Sequence, residues 1–311
     1  MGPKGEAWRT EMKELAPGVY AYIQAKGTWF VSNAGLIVGK EDAIVVDSLS
    51  NEKMVRTFIT KIEKVTDKPI KFLINTHSHG DHVWTNHFFP QARVICQTRC
   101  RETTLEDMKT DPDAFEPMFP GLSFDGAKVT PQDITFEKEL AIYEDDREIR
   151  LVYNGPAHTM GDIFIHLPEE GIVFCGDLLF YRCTPLALMG YVSGWIDTME
   201  LLANLDAKVY VPGHGPVTDK KGLLESREYL IHIRDEARNR FDRGMDAFEA
   251  AKDIALGRWE NWADSERIVA TVERLYSEFR GEEPGAPLDV MAILPRMISL
   301  AKGGQDETGD F

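Results

Sequence analysis

The stretch INTHSHGDHVWTN, residues 74–86, places three of the chain's 8 histidines and an aspartate within six positions. Imidazole nitrogens and carboxylates are the ligands that zinc and similar divalent metals prefer. The preceding run KPIKFLINT predicts a buried strand ending at Thr76, so the cluster follows in a loop at a sheet edge. We therefore predict a metal site rather than a solvated, histidine-rich loop. The cluster consists of His77, His79, Asp81 and His82.

The spacing within this cluster predicts that it serves two metals. In extended backbone, His77 and His79 point to the same side because side chains alternate. Gly80 permits a sharp turn, so Asp81 and His82 can face a different point. One segment can thus supply two ligands to one metal and two to its neighbour.

Three later segments each bring one more ligand-type side chain to the end of a predicted strand. His158 lies in NGPAHTMGD, Asp177 in CGDLLF and His214 in VPGHG, each in a loop that contains glycine. Binding residues commonly lie in such loops on a rigid scaffold, so we expect all three to join the first cluster. The remaining histidines are expected to be surface or hydrogen-bonded residues: His87, His166 and His232.

The composition excludes several classes of partner. The chain has 35 basic and 51 acidic residues, a net charge of −16, which argues against nucleic acids and anionic membranes. No apolar run reaches the roughly 18–20 residues of a membrane-spanning helix, and the N-terminus lacks a segment of signal-peptide type. We expect a cytoplasmic protein whose four cysteines are small buried residues.

Strand patterns dominate the first 180 residues. Predicted strands cover 18–24, 29–39, 42–48, 68–76 and 92–97, with a helix over 54–67. Two hairpins follow, over 134–155 with a turn at Asp145–Asp146 and over 162–177 with a turn at 169–171. This order predicts an α/β sandwich with a mixed sheet.

Helical patterns dominate from about residue 222. Segments 223–241 and 264–281 carry apolar stripes at helical spacing, the second with Asp264 as predicted N-cap and Gly281 as terminator. We predict a catalytic core over 1–221, a helical C-terminal extension over 222–302 and a flexible tail over 303–311.

Four motifs in a fixed order complete the pattern: HSHGDH, GPAHTMGD, CGDLLF and VPGHG. Over residues 17–218 the chain resembles the metallo-β-lactamase superfamily of metallohydrolases. The resemblance implies a four-layer αβ/βα sandwich of two mixed sheets. It also implies a dinuclear site, usually of zinc, at one edge of the sheets, with the late helices outside the shared core.

The resemblance also implies a role for each residue. Asp47 would support and orient a ligand, and Asp177 would bridge the two metals. The other ligands divide into one set for each metal: His77, His79 and His158 for the first; Asp81, His82 and His214 for the second.

Departures from known patterns narrow the resemblance. True β-lactamases of the superfamily lack a bridging aspartate at the position of Asp177, and flavodiiron-type oxidoreductases have glutamate where His79 stands. The GDLLF stretch is similar to thioester hydrolases of the glyoxalase II type and to related lactonases. We therefore interpret the chain as a metallohydrolase of that kind rather than a true β-lactamase.

The expected reaction is hydrolysis of an ester, lactone, thioester or amide bond. Two divalent ions ~3.5–4 Å apart would hold a bridging hydroxide that attacks the carbonyl, and Asp81 would pass a proton to the leaving group. Tyr181 and Tyr191 are candidate oxyanion donors, with packing as the alternative. Zinc is the expected metal, with iron or manganese as alternatives. Two other functions stay open: a mononuclear iron dioxygenase of the persulfide type and a non-catalytic binding module.

Apolar segments outside the ligand set are candidates for the substrate pocket. Residues 105–124 are rich in Met, Phe and Pro and are expected to form a flap. Together with Trp84 and the segment 179–195, such residues would bind a small apolar or aromatic acyl substrate. Core packing is an equal alternative, and a homodimer stays open. The flap residues expected at the pocket are Phe115, Met118 and Phe119.

Overall fold

Two β-sheets lie face to face in the computed structural model of this chain, which describes residues 8–26, 28–119 and 121–303. The first sheet has seven strands in chain order. The first four pair antiparallel, and the last three add parallel. They are β1 Glu11–Ala16, β2 Val19–Ile23, β3 Ala34–Val38, β4 Ala43–Val46, β5 Ile70–Ile74, β6 Arg93–Gln97 and β7 Ile134–Phe136.

The second sheet has five strands in the order β12-β11-β10-β9-β8. Three pairs are antiparallel, and β11 and β12 run parallel. Both sheets are thus mixed, as the sequence predicted. The strands are β8 Glu139–Glu144, β9 Arg147–Tyr153, β10 Ile163–Leu167, β11 Ile172–Phe180 and β12 Val209–His214.

Helices cover the outer faces of both sheets. None of those in the described part of the chain is long and apolar enough to cross a membrane. They are α1 Glu52–Glu63, α2 Gly80–Val83, α3 Thr98–Asp107, α4 Val192–Ala203, α5 Lys220–Phe241, α6 Ala247–Asp253, α7 Ile268–Phe279 and α8 Val290–Gly303.

Side-chain alternation along the strands builds three hydrophobic layers. Between the sheets, Ile44 and Val46 of β4 pack with residues of the second sheet such as Phe174. Val45, which points the other way, packs under α1 with Phe58. The outer face of the second sheet packs against the later helices. The result is the predicted four-layer αβ/βα sandwich.

Several local predictions differ from the structure. Ile134–Phe136 was expected to begin a hairpin but joins the first sheet beside β6, and the hairpin consists of β8 and β9 alone. Residues 29–33 form a loop rather than strand, because Phe30 adopts a left-handed backbone with φ of 56°. Asp264 also has a left-handed backbone and precedes a 3-10 turn, without capping α7.

The C-terminal helices share one hydrophobic cluster with the second sheet. That cluster joins Phe164 of β10 and Trp195 of α4 to Leu230 of α5 and Val272 of α7. The boundary between a catalytic core and a helical extension, placed between residues 221 and 222, stays a prediction. Of the predicted tail, Gly303 ends α8, and residues 304–311 lie outside the described part of the chain.

Candidate metal centre

The ligand-type residues meet where the C-terminal ends of parallel strands from both sheets come together. The loop after β5 carries the first histidine cluster, and His214 ends β12. Asp177 lies inside β11, at an irregularity in its pairing with β12, and not after the strand as predicted. Asn33 joins the two sheets there, because its backbone N–H donates to Gly213 O at 2.7 Å.

The structure brings all seven predicted ligands together in two groups. Within each group the candidate donor atoms lie within 4.8 Å of one another. His158 Nε2 and His79 Nδ1, both in the first group, are only 2.8 Å apart. The groups are His77, His79, His158 and Asp177; and Asp81, His82 and His214.

Asp177 lies between the two groups. Its Oδ1 is 3.2 Å from His82 Nε2 in one group, and its Oδ2 is 3.2 Å from His158 Nε2 in the other. Gly213 makes room for this carboxylate, since a Cβ at that position would overlap Asp177 Oδ1. One side chain therefore contacts both sets of donors.

Asp47 orients two of the histidines. Asp47 Oδ2 lies 2.8 Å from His82 Nδ1 and accepts a hydrogen bond from Thr76 Oγ1 at 2.8 Å. Because the Thr76 hydroxyl donates to Asp47, it is free to accept from His77 Nδ1, which lies at 3.1 Å. Both imidazoles are thus held with Nε2 facing the centre, which is the function expected of residues that support metal ligands.

The loop that carries His158 is held in a similar way. His158 Nδ1 lies 2.7 Å from the Leu186 carbonyl, so this ring also turns Nε2 towards Asp177. Asp162 accepts hydrogen bonds from the backbone N–H and the hydroxyl of Thr159, at 2.6 and 2.8 Å. The GPAHTMGD motif therefore supplies both a candidate ligand and the aspartate that shapes its loop.

Burial and mutual charge set the ionisation of the centre. Burial alone would raise the pKa of Asp177, but His214, His82 and His77 outweigh it and hold that pKa well below the usual range. Burial is the main cause that lowers the pKa of His79 to about 3. Burial also disfavours the charged form of His214, but Asp177 outweighs it and raises the pKa of His214 to about 9. His214 therefore carries a proton at neutral pH, and a bound cation would displace it.

Three buried atoms identify what the centre would bind. His77 Nε2, His82 Nε2 and Asp177 Oδ1 make no hydrogen bond with the residues that the structure describes; His82 Nε2 and Asp177 Oδ1 lie 3.2 Å apart but not in hydrogen-bonding geometry. Leaving a buried polar group unpaired costs about 1–3 kcal/mol. Divalent cations would pair with all three, and imidazole and carboxylate donors suit zinc and similar ions. The donor set therefore fits metal ions.

A cavity of about 300 Å³ opens over the two groups. Its aromatic lining residues contact one another: the ring centroids of Phe30 and Trp84 lie 5.4 Å apart, and those of Trp29 and Phe119 lie 5.2 Å apart. Aliphatic residues come from the 185–190 loop and from α8. The apolar lining residues include Trp29, Phe30, Trp84, Phe115, Phe119, Leu186, Leu188, Met189, Val290 and Leu294.

Trp84, Phe115 and Phe119 were predicted to line the substrate pocket, and all three line this cavity. Three other candidates do not line it: Met118, Tyr181 and Tyr191. Met118 turns away at the end of a 3-10 helix, Pro112–Met118, and packs against the hydrophobic cluster under the C-terminal helices.

The two tyrosines are also held away from the cavity. Tyr181 follows β11 with its ring beside Gly222 of α5, close to where a Cβ on that glycine would lie. Tyr191 is the N-cap residue of α4, and its backbone N–H donates to the Ala157 carbonyl at 2.7 Å. Neither is placed to act as the predicted oxyanion donor.

Arg267 is a lining residue that the sequence did not reveal. Among the described residues that line the cavity, it is the only lysine or arginine. Its guanidinium lies 4.7 Å from the Trp29 ring centroid and 5.7 Å from that of Phe180, which in turn stacks on His214. No local signal marked it, because residue 267 lies 53 positions beyond His214, the last predicted ligand.

Curated relatives extend the comparison beyond the ligand motifs. A linear primary-alkylsulfatase from Pseudomonas sp. is 23% identical over an alignment 323 positions long with its gaps, covering 88% of this chain and 61% of that protein. The alpha subunit of a 2,4-dinitroanisole O-demethylase from Nocardioides sp. is 28% identical, covering 57% of this chain and 51% of that protein. The chain thus spans less than two thirds of the length of either relative.

Solved structures share the fold. A stereoselective inverting sec-alkylsulfatase from Pseudomonas sp. has a TM-score of 0.67 at 17% identity, covering 90% of this chain and 52% of that one. The family model described as the metallo-beta-lactamase superfamily matches residues 27–214, which include every candidate ligand. That match covers more than half of the 311 residues. The chain is a member of the metallo-β-lactamase superfamily.

Proposed function

We propose that the chain is a dinuclear metal-dependent hydrolase that cleaves an ester, lactone or thioester bond beside an apolar group. The observation that carries this proposal is the position of Asp177, whose two oxygens lie 3.2 Å from a histidine of each donor group. A single-metal site would not need both groups.

Each group would hold one ion, most simply zinc, with Asp177 between the two. The ions would supply Lewis acidity and a water whose pKa falls towards about 7, so that a nucleophile is available at neutral pH. Asp47, Thr76 and the Leu186 carbonyl keep the imidazoles in the tautomers that binding requires.

Asp81 is the proposed proton carrier. Its Oδ2 lies 3.2 Å from His214 Nε2, and the residue also lines the cavity. Burial raises its pKa, but the nearby His82 and His214 outweigh burial and lower that pKa to about 2. The carboxylate is therefore ionised at neutral pH, and its position in the cavity supports a role in carrying a proton from the attacking water to the leaving group.

The lining of the cavity supports a small-molecule substrate with an apolar or aromatic group. Phe30, Trp84 and Phe119 supply aromatic surface, and Leu186 and Leu188 supply aliphatic surface. Such a lining binds hydrocarbon and disfavours highly charged groups. A cytoplasmic location and the absence of nucleic-acid and membrane partners stay predictions.

Sulfate esters are a second substrate candidate. The match to the linear primary-alkylsulfatase covers 88% of this chain, well beyond the shared catalytic motifs. The solved sec-alkylsulfatase likewise covers 90% of it. An alkyl sulfate combines an apolar chain with an anionic head, and Arg267, whose Nη2 also pairs with Asp264 at 3.0 Å, is a cation in the cavity wall.

A panel of substrates with apolar parts of similar size distinguishes between these substrate classes. Octyl acetate, an octanoyl thioester, a medium-ring lactone and octyl sulfate would be assayed with zinc-loaded protein and with Asp81→Asn. We expect turnover of at least one substrate and a fall of roughly 10²–10⁴-fold in the variant, the usual contribution of a positioned proton carrier. Turnover of octyl sulfate alone would select the second candidate. No turnover with two metals bound would contradict the hydrolase proposal.

A further inference from the structure

Helix α8 supplies part of the cavity lining from outside the family match, which ends at residue 214. Val290 and Leu294 both line the cavity, and they are four residues apart, so they lie on one face of the helix. Met291, on a different face, is 75% exposed. The helix therefore presents one apolar edge to the cavity and another to solvent.

Contacts on several sides fix α8 in this position. Ile293 and Met297 are buried in the hydrophobic cluster that the second sheet and the C-terminal helices share. Arg296 Nη1 lies 2.8 Å from Glu273 Oε1 of α7. The Asp289 side chain accepts from the Ala292 N–H at 3.1 Å and so caps the helix start.

The segment that leads into α8 is joined to the 185–190 loop, which lines the cavity too. The Gly285 N–H donates to the Gly190 carbonyl at 3.2 Å, and Met160 fills the space where a side chain at Gly285 would lie. Arg274 of α7 also donates to the carbonyl of Leu188. These bonds hold the aliphatic residues of the loop and of α8 in a fixed relation.

We propose that α8 determines the length of the apolar chain that the site accepts, with Val290 and Leu294 contacting the far end of that chain. The proposal rests on the proposed function, since it identifies the substrate class as linear alkyl or acyl chains. An aliphatic edge held by a buried cluster, an ion pair and a cap is rigid enough to act as a stop.

The test uses straight-chain primary alcohols from hexanol to tetradecanol, which are unreactive and uncharged, and measures their Kd by calorimetry. For the unmutated protein we expect Kd to fall about fourfold with each methylene added to the alcohol. The fall should stop at the length at which the alkyl chain meets α8, and this length is the limit compared between variants. We expect Leu294→Trp to shift that limit to shorter alcohols and Leu294→Ala to shift it to longer ones. Val290→Phe should act as Leu294→Trp does, and Met291→Ala is the matched control with no shift.

Two results would overturn the proposal. One is a limit that stays at the same length in all of the variants. The other is an equal loss of affinity at every length, which a merely structural role would produce. Alcohol binding needs neither metal nor turnover, and the series would be repeated after chelation. A shifted limit in a protein without hydrolase activity would therefore contradict the proposed function alone.

Discussion

At the scale of single residues, Asp47 combines strain with precise contacts. Its backbone is left-handed with φ of 59°, an uncommon conformation in which asparagine and aspartate are favoured among non-glycine residues. Its carboxylate accepts hydrogen bonds from the Thr76 N–H and hydroxyl and contacts His82 Nδ1. Backbone strain of this kind is typical of functional sites.

Asp47→Asn tests this role while tolerating the same backbone conformation. The amide would replace one carboxylate oxygen by a donor, which misorients His82. We expect metal affinity to fall roughly 10- to 100-fold with little change in melting temperature. The measurement is a competition titration against a chelator, with the exposed Asp67→Asn as control. Unchanged affinity would show that Asp47 does not orient the ligands.

The clustering of the candidate ligands was predictable from sequence, because metal chemistry restricts residue type and the strands end at the same edge of the sheets. The cluster around His77 could be recognised from the spacing of its own residues. The later motifs could be recognised because each follows a predicted strand in a loop that contains glycine. Thr76 and Arg267 were not predictable, since their contacts depend on where distant backbone segments meet. The two tyrosines were misplaced because proximity to Asp177 in sequence does not determine side-chain direction.

At the scale of elements, α4 depends on a cap from another helix. Its own N-cap residue, Tyr191, makes no side-chain capping bond. Instead Glu278 of α7 accepts hydrogen bonds from the Val192 N–H at 2.5 Å and from the Ser193 hydroxyl at 2.7 Å. A carboxylate at a helix N-terminus satisfies exposed N–H groups and complements the helix dipole.

Glu278→Ala should therefore destabilise the fold. Loss of an N-cap costs about 1 to 2 kcal/mol of unfolding free energy. Denaturant unfolding of the metal-loaded protein measures this value, and the exposed Glu283→Ala, five residues further along the chain, is the matched control. Equal unfolding free energies for the two variants would mean that Glu278 does not cap α4.

Alternation of apolar and polar residues predicted most of the strands. Where this pattern was weak, or where another pattern competed with it, the predicted element was wrong. Residues 29–33 are apolar enough for a strand, but the left-handed backbone of Phe30 makes the segment a loop, and only Trp29 and Phe30 of it line the cavity. The three-residue strand β7 was too short to reveal which sheet it joins. Helix α3 was missed because only Cys100 and Thr104 among its residues are buried, which leaves little apolar periodicity.

At the scale of the whole molecule, the centre joins the two sheets and the metal should contribute to stability. Ions that bind only the folded chain at a thousand times their Kd add about 4 kcal/mol. For a chain of 311 residues, we expect chelation to lower the melting temperature by about 6 °C for each ion removed, while the circular dichroism spectrum at room temperature is unchanged. An equal melting temperature with and without chelator would contradict tight binding at this centre.

The proposed hydrolysis requires two ions bound to each chain. The most direct measurement is elemental analysis of protein purified without added metal, paired with activity after chelation and after zinc is returned. We predict two divalent ions per chain, with hydrolysis lost on chelation and restored by zinc. One iron per chain with oxygen uptake would rule out a dinuclear hydrolase and favour the dioxygenase alternative.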